Sequence, residues 1–491
     1  MSRYLITVAA VALIAGAATA QTRTDIRVGM QLEPPSLDPT GEAAAAVDEV
    51  LYANVMEGLT RFAADGSVQP GLASTWSVSD NGLEYTFLLR DGVTFHDGTS
   101  FEASDVVFSL DRARAEDSTN AQKALFAGIE SVEALNELVV RVTLSSPNGN
   151  FPFNLAWGDA VIVAPESVES IATNPIGTGP FTFTEWRQGD SVILTRNPDY
   201  WGTPVALEEA TFKFISDPTA ALAAMLTGDL DAFPTFPAPE NLAQFEADPR
   251  FRVIVGSTEG ETILSTNNTM PPLDDVRVRK AIAHAIDRQA IVDGAMFGYG
   301  TPIGTHFAPH NPAYIDLTGL SNHDPALSRE LLAEAGYPEG FTTTLKLPPP
   351  SYARRGGEII AAQLREVGIE VEISNLEWAQ WLEQVFRGGD YGLTIVSHTE
   401  PFDIGIYARD DYYFNYVSEE MAQIIDDLTL ATDPAERVAL MQVAQEHIAR
   451  DYVNGYLFQL AKTGVADARI EGLWENAPAQ ANDLTGVRWS E

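Results

Sequence analysis

"TNPIGTGPFTFTEW" occupies Thr173–Trp186. Two glycines flank a threonine, so the stretch is either a phosphate cradle or a piece of architecture. A dinucleotide fingerprint needs three glycines opening a helix, so that the helix N-terminus meets the phosphates. Here Pro180 follows Gly179, and "FTFTEW" (Phe181–Trp186) alternates as a strand does. A P-loop needs Lys-Ser or Lys-Thr behind its last glycine, and the stretch has neither. The glycines therefore shape a turn into a strand, and a nucleotide enzyme is set aside.

Outward from that turn, the chain has 491 residues, which predicts two or three domains. Its formal net charge is −39, from 69 acids and 30 bases. A field of that sign repels nucleic acid and anionic lipid, and it fits a surface working in salty surroundings. The opening "MSRYLITVAAVALIAGAATAQ" places Arg3 before an apolar run and ends on Ala18-Thr19-Ala20. That is the pattern of a secretory signal peptide over residues 1–20, cleaved after Ala20. The chain has no cysteine. Disulfides, thiolate zinc sites, thiol nucleophiles and a lipid anchor on an N-terminal cysteine are thereby excluded. An exported, unanchored protein that stays near the cell implies a periplasm.

Strands and helices mix without strict alternation, which predicts α/β or α+β architecture over several domains. "DIRVGMQLEP" reads as a strand and Glu42–Leu59 as a helix. "LEYTFLLRDGVTFHDGTSF" reads as hairpins, with a helix starting near Ser104. Strands return from Val161 to Arg196, and "TAALAAMLTGDLDAF" is a helix stopped at Gly228. "VRVRKAIAHAIDRQAIVDGAMFG" reads as one helix, and helices ending at Gly336 and Gly368 follow. "DYGLTIVSH" and "GYLFQLAKTGV" are buried strands.

The stretch Pro175–Gly202, "PIGTGPFTFTEWRQGDSVILTRNPDYWG", closely resembles the family 5 solute-binding proteins of ABC importers, the dipeptide, oligopeptide and nickel binding family. "EPPSLDP" (Glu33–Pro39), Gly71–Leu110, Pro271–Arg288 and Leu331–Phe341 resemble the same family in order and spacing. The resemblance implies an α/β, two-lobed type II periplasmic binding protein fold with an extra subdomain in the first lobe. It places the first lobe at 21–53, 177–265 and 464–491, the subdomain at 54–176 and the second lobe at 266–463. It implies a monomeric, non-catalytic receptor that closes on a small solute, peptide-like or cationic, and delivers it to an inner-membrane permease complex. No cofactor is expected. Relatives that carry nickel complexes, haem, glutathione, opines or oligosaccharides leave the solute open. The rival reading is an exported hydrolase using the Ser of "GDS" (Gly189–Ser191), which would need a base and an oxyanion hole.

Candidate ligand contacts fall on loops at strand ends. After the strand ending near His398 come Glu400 and Asp403. By resemblance, His398 stands near a Trp of peptide-binding relatives, and Glu400 near an Asp that pairs with the peptide amino terminus. A carboxylate in a dry cleft binds an ammonium by a charge-assisted bond. Arg354 or Arg355 could hold a carboxylate, although Pro348-Pro349-Pro350 occupy much of that place. Trp378 is a candidate stacking surface, with Trp381 three residues on; packing is the plainer role for both. His306 and His310 lie four apart in a proline-containing loop, where spacing fixes no common face for a metal.

Overall fold

The computed structural model describes residues 23–41, 44–399 and 403–490. The expected signal peptide and Glu400 lie outside these residues, as does the side chain of Trp378.

One large sheet runs through the molecule. Its strand order is Ile369–Asn375, Phe341–Leu347, Leu393–His398, Phe251–Thr266, Asn454–Asp467, Ala232–Phe233, Asp25–Met30, Glu209–Phe214, Ser191–Arg196 and Phe181–Arg187. Phe251–Thr266 and Asn454–Asp467 are the longest strands and pair antiparallel. Their outer halves (Phe251–Ser257 with Ala461–Asp467) belong to the first lobe. Their inner halves (Glu261–Ser265 with Asn454–Gln459) pack with the second, a few residues away from the lobe borders expected at 265 and 463. Between them the register breaks, from Ser257 opposite Ala461 to Glu261 opposite Gln459. This break is the two-stranded hinge. Side chains pin it: Thr258 Oγ1 donates to Leu460 O at 2.7 Å, and Gln459 Nε2 donates to Thr258 O at 2.7 Å.

Each lobe has its own apolar cores. Ile26, Val28, Val47, Phe181, Leu194 and Phe212 are among those filling the first lobe. Leu345, Leu393 and Leu457 fill one core of the second lobe, and Ile263, Tyr391 and Tyr413 another. A separate four-stranded sheet with the helix Ala103–Arg114 builds the subdomain, with a core including Phe87, Val106 and Val140.

Three sequence expectations need correction. The strand expected from Val161 is irregular chain with a single isolated bridge to Gly58, and strands return only at Phe181. The helix expected over Glu42–Leu59 is observed as Ala45–Leu51. Asn54 ends it: its Nδ2 donates to Val50 O at 3.0 Å and to Asn482 O at 2.9 Å, tying the chain to the C-terminal segment. The long helix expected from Val276 is two, Val276–Ala285 and Arg288–Met296. Asp287 restarts it as an N-cap, accepting from Ala290 N at 3.1 Å.

The Thr173–Trp186 stretch is architecture, as expected, with a strand from Phe181. Gly177 and Gly179 have no unusual backbone; they let two chains touch. A Cβ on Gly177 would sit 2.0 Å from Val55 O, and one on Gly179 2.5 Å from Asn54 O. The same signature supplies three donors to one buried acid. Thr178 Oγ1 and Trp201 Nε1 donate to Glu57 Oε2 at 2.8 Å, and Tyr200 OH to Oε1 at 2.9 Å. Burial raises the Glu57 pKa and those bonds oppose it, leaving it above the usual carboxylate value.

Candidate functional site

The strands Phe341–Leu347, Ile369–Asn375 and Leu393–His398 run parallel, so their C-terminal ends share one edge of the second lobe. Beside that edge, at the hinge, lies a cavity of about 180 Å³. The hinge itself is part of the wall, through Thr258, Glu259, Gly260 and Leu460, with Lys462 beside it on the first-lobe half of its strand. The second lobe adds Thr399, and the first adds Glu49, Thr235 and the 477–482 loop. A second cavity of about 160 Å³ shares Glu49, Thr235 and Asn482 with the first.

The charges on this wall are poorly satisfied. Glu49 projects from the helix Ala45–Leu51 and makes no hydrogen bond or ion pair among the described residues. Burial pushes its carboxyl up to about 7, against the pull of Lys462. Lys462 Nζ donates to Trp474 O at 2.8 Å, and burial pushes it down to about 8 despite Glu49. Glu259 is buried and takes a 2.5 Å bond from His310 Nε2. A recess lined by groups of both signs is suited to a polar, charged small molecule.

The sequence candidates fall into two groups. His306, His398 and Asp403 come together in one cluster outside the lining of the recess, with both histidines buried. Asp403 Oδ1 is bonded to His306 Nε2, and Oδ2 to His398 Nδ1 at 3.3 Å. Tyr407 OH meets His306 Nδ1 at 3.2 Å, and Tyr413 OH meets His398 Nε2 at 3.1 Å. Burial would raise the Asp403 pKa, but the two histidines outweigh it and hold the carboxyl well below the usual range. Both oxygens of Asp403 are thus used internally. Arg354 stands apart, donating to Leu376 O at 3.2 Å and to Glu377 Oε1 at 3.3 Å.

His306 and His310 point to different partners, Asp403 and Glu259. Among the described residues no group of three or more metal-ligating side chains is arranged to hold an ion. Ser191 of the "GDS" tripeptide is buried at a strand start, its Oγ donating to Asp190 Oδ2 at 2.7 Å. That is a strand-end turn, without the histidine base that a serine nucleophile needs.

Glu49 and Lys462 were missed from the sequence. Their separation of hundreds of residues hides the pairing. The available signal was a lone lysine inside the apolar strand "LFQLAKTGVA", where a charge is rarely buried without a task.

A sequence profile described as bacterial extracellular solute-binding proteins, family 5 middle, matches residues 67–417. The glutathione-binding protein GsiB of Pectobacterium atrosepticum is 32% identical over 440 residues, covering 85% of this chain and 85% of that protein. Among solved structures, HbpA2 of Haemophilus parasuis is 26% identical with a TM-score of 0.86, covering 95% of this chain and 100% of that one. The periplasmic binding protein DppA of Helicobacter pylori, in complex with the peptide STSA, is 25% identical with a TM-score of 0.78, over 96% and 99% of the two chains.

Proposed function

The chain belongs to the family 5 bacterial extracellular solute-binding proteins, and on that premise we propose that it encloses a small peptide-like solute in the hinge recess. Its class is that of the periplasmic substrate-binding component of an ABC importer, a binding protein and not an enzyme. The observation that supports the placement is the recess itself. It is walled by the register break of the two shared strands, with opposite charges on one surface. A solute there touches both lobes and the hinge at once, so its binding energy favours the closed arrangement. Names among the relatives include a glutathione-binding and a peptide-bound protein, which makes short peptides and glutathione the first solutes to try.

The experiment is a thermal-shift screen of glutathione, di- and tripeptides, opines and nickel–histidine. A peptide-like hit raising Tm, recovered unaltered from the sample, supports the proposal. Stabilisation by the nickel complex or the opines alone overturns the peptide-like reading. Chemical turnover of any hit overturns the transport reading. Residues 1–20 are proposed to be removed on export, so periplasmic protein should begin at Gln21, and a soluble form retaining Met1 overturns this.

A further inference from the structure

With the hinge recess taken as the solute site, two of its charges define what fits. Glu49 comes from the first-lobe helix and Lys462 from a shared hinge strand; both line the same cavity. Each influences the other's charge, yet no ion pair within 4.0 Å joins them. Glu49 keeps its whole acceptor capacity unused among the described residues. Lys462 has spent one of its three donors on Trp474 O. Two opposite charges that line one cavity without pairing offer complementary positions to a dipole. Thr235 and Asn482 line both cavities beside Glu49 and add neutral polar groups.

We propose that Glu49 and Lys462 together hold an α-amino-acid head, an ammonium and a carboxylate borne on one carbon, and that the receptor selects solutes ending in that group. The ammonium lies against Glu49 and the carboxylate against Lys462. An ordinary α-linked dipeptide carries its two charges at opposite ends, several bonds apart, and fills only one of these positions. A free amino acid or a γ-linked peptide fills both. Neutral polar solutes pair with neither charge. The other charge facing this wall among the described residues is Glu259, tied to His310; Asp48, next to Glu49 on the same helix, and Asp159 near it lie outside the lining.

The pH dependence has a definite sign. A bound ammonium needs Glu49 ionised, and its carboxyl sits at about 7 in the empty recess. Binding at pH 6.5 therefore releases protons. A bound carboxylate needs Lys462 charged, and that group sits at about 8. Affinity should peak between these two values and fall on either side.

The test compares two isomers by calorimetry, γ-glutamylglycine and α-glutamylglycine, with glutathione as a third probe. The γ isomer and glutathione are expected to bind about tenfold or more tighter than the α isomer. Glu49→Gln and Lys462→Met should each reduce γ-isomer binding to the level of the α isomer. The proton release at pH 6.5, read in buffers of different ionisation enthalpy, should vanish in Glu49→Gln. Both substitutions remove a desolvated charge, so both variants should fold and melt at or above the wild-type Tm without solute. Isomers binding within about threefold, or variants that keep the γ preference, overturn this assignment while the hinge recess stands as the solute site. Failure of all three probes to bind overturns the assignment together with the peptide-like solute class on which it rests.

Discussion

Glu57 carries more of the fold than any catalytic-looking residue in the chain. Its carboxylate receives Thr178, Tyr200 and Trp201, all from the segment Pro175–Gly202, and so locks that signature onto the loop leading into the subdomain. Glu57→Ala leaves three buried donors without an acceptor. It should cost about 3–5 kcal/mol of unfolding free energy, read from urea denaturation, while Glu57→Gln should cost less because it still accepts. A change under about 1 kcal/mol for the alanine variant would show that water replaces the carboxylate. The signature was readable as a turn into a strand, because proline and alternation are local signals. Its true anchor was not, because Glu57 lies over a hundred residues away and sequence order carries no pairing. The same limit applies at the site. The strand-end loop drew His398, Glu400 and Asp403 into view, yet only geometry reveals that Asp403 spends both oxygens on His306 and His398.

Elements were legible where their stop signals are chemical. The helix Pro218–Thr227 ends at Gly228, whose φ is 78°, and Gly336 and Gly368 end two more with φ of 97° and 93°. Errors came where a long-range bond overrode the periodicity, as the one from Asn54 to Asn482 does. The turn around His96 is also held from far along the chain. His96 Nε2–H donates to Gly179 O at 2.9 Å, and Gly177 N donates to His96 Nδ1 at 3.3 Å. These bonds require the neutral ring, and burial lowers the His96 pKa below its ordinary value. The unfolded chain therefore binds the proton more readily, and this contribution is complete above about pH 6.5 and fades as pH falls. His96→Asn should cost about 1 kcal/mol at pH 7.5, with a smaller difference from wild type at pH 5.5. An equal difference at both pH values would mean that the ring's protonation is not what the turn senses.

Two seams join the lobes of the whole molecule. One is the hinge. The other joins the subdomain to the second lobe, where Gly149 N donates to Thr429 O at 3.3 Å and the buried Arg437 bonds Asn150. A cavity of about 360 Å³ with an apolar wall including Trp76, Phe153 and Met441 lies along that seam. Closure on a solute should shrink this space together with the hinge recess, so small-angle scattering should give a smaller radius of gyration with saturating γ-glutamylglycine. An unchanged radius would mean that the solute docks without lobe motion. The two-lobed plan was legible through family resemblance, whereas the strand register that sets the hinge emerges only from pairing across two hundred residues. The sheet has one more consequence, and it concerns time. Strand Asn454–Asp467 lies between Phe251–Thr266 and Ala232–Phe233, and Trp489 Nε1 donates to Asp25 O at 2.8 Å. The first lobe therefore waits for the last residues synthesised before its middle can close. Such long-range pairing is slow to form. Completion of the sheet therefore depends on a strand that comes late in chain order, and that long-range contact governs how fast the first lobe can form.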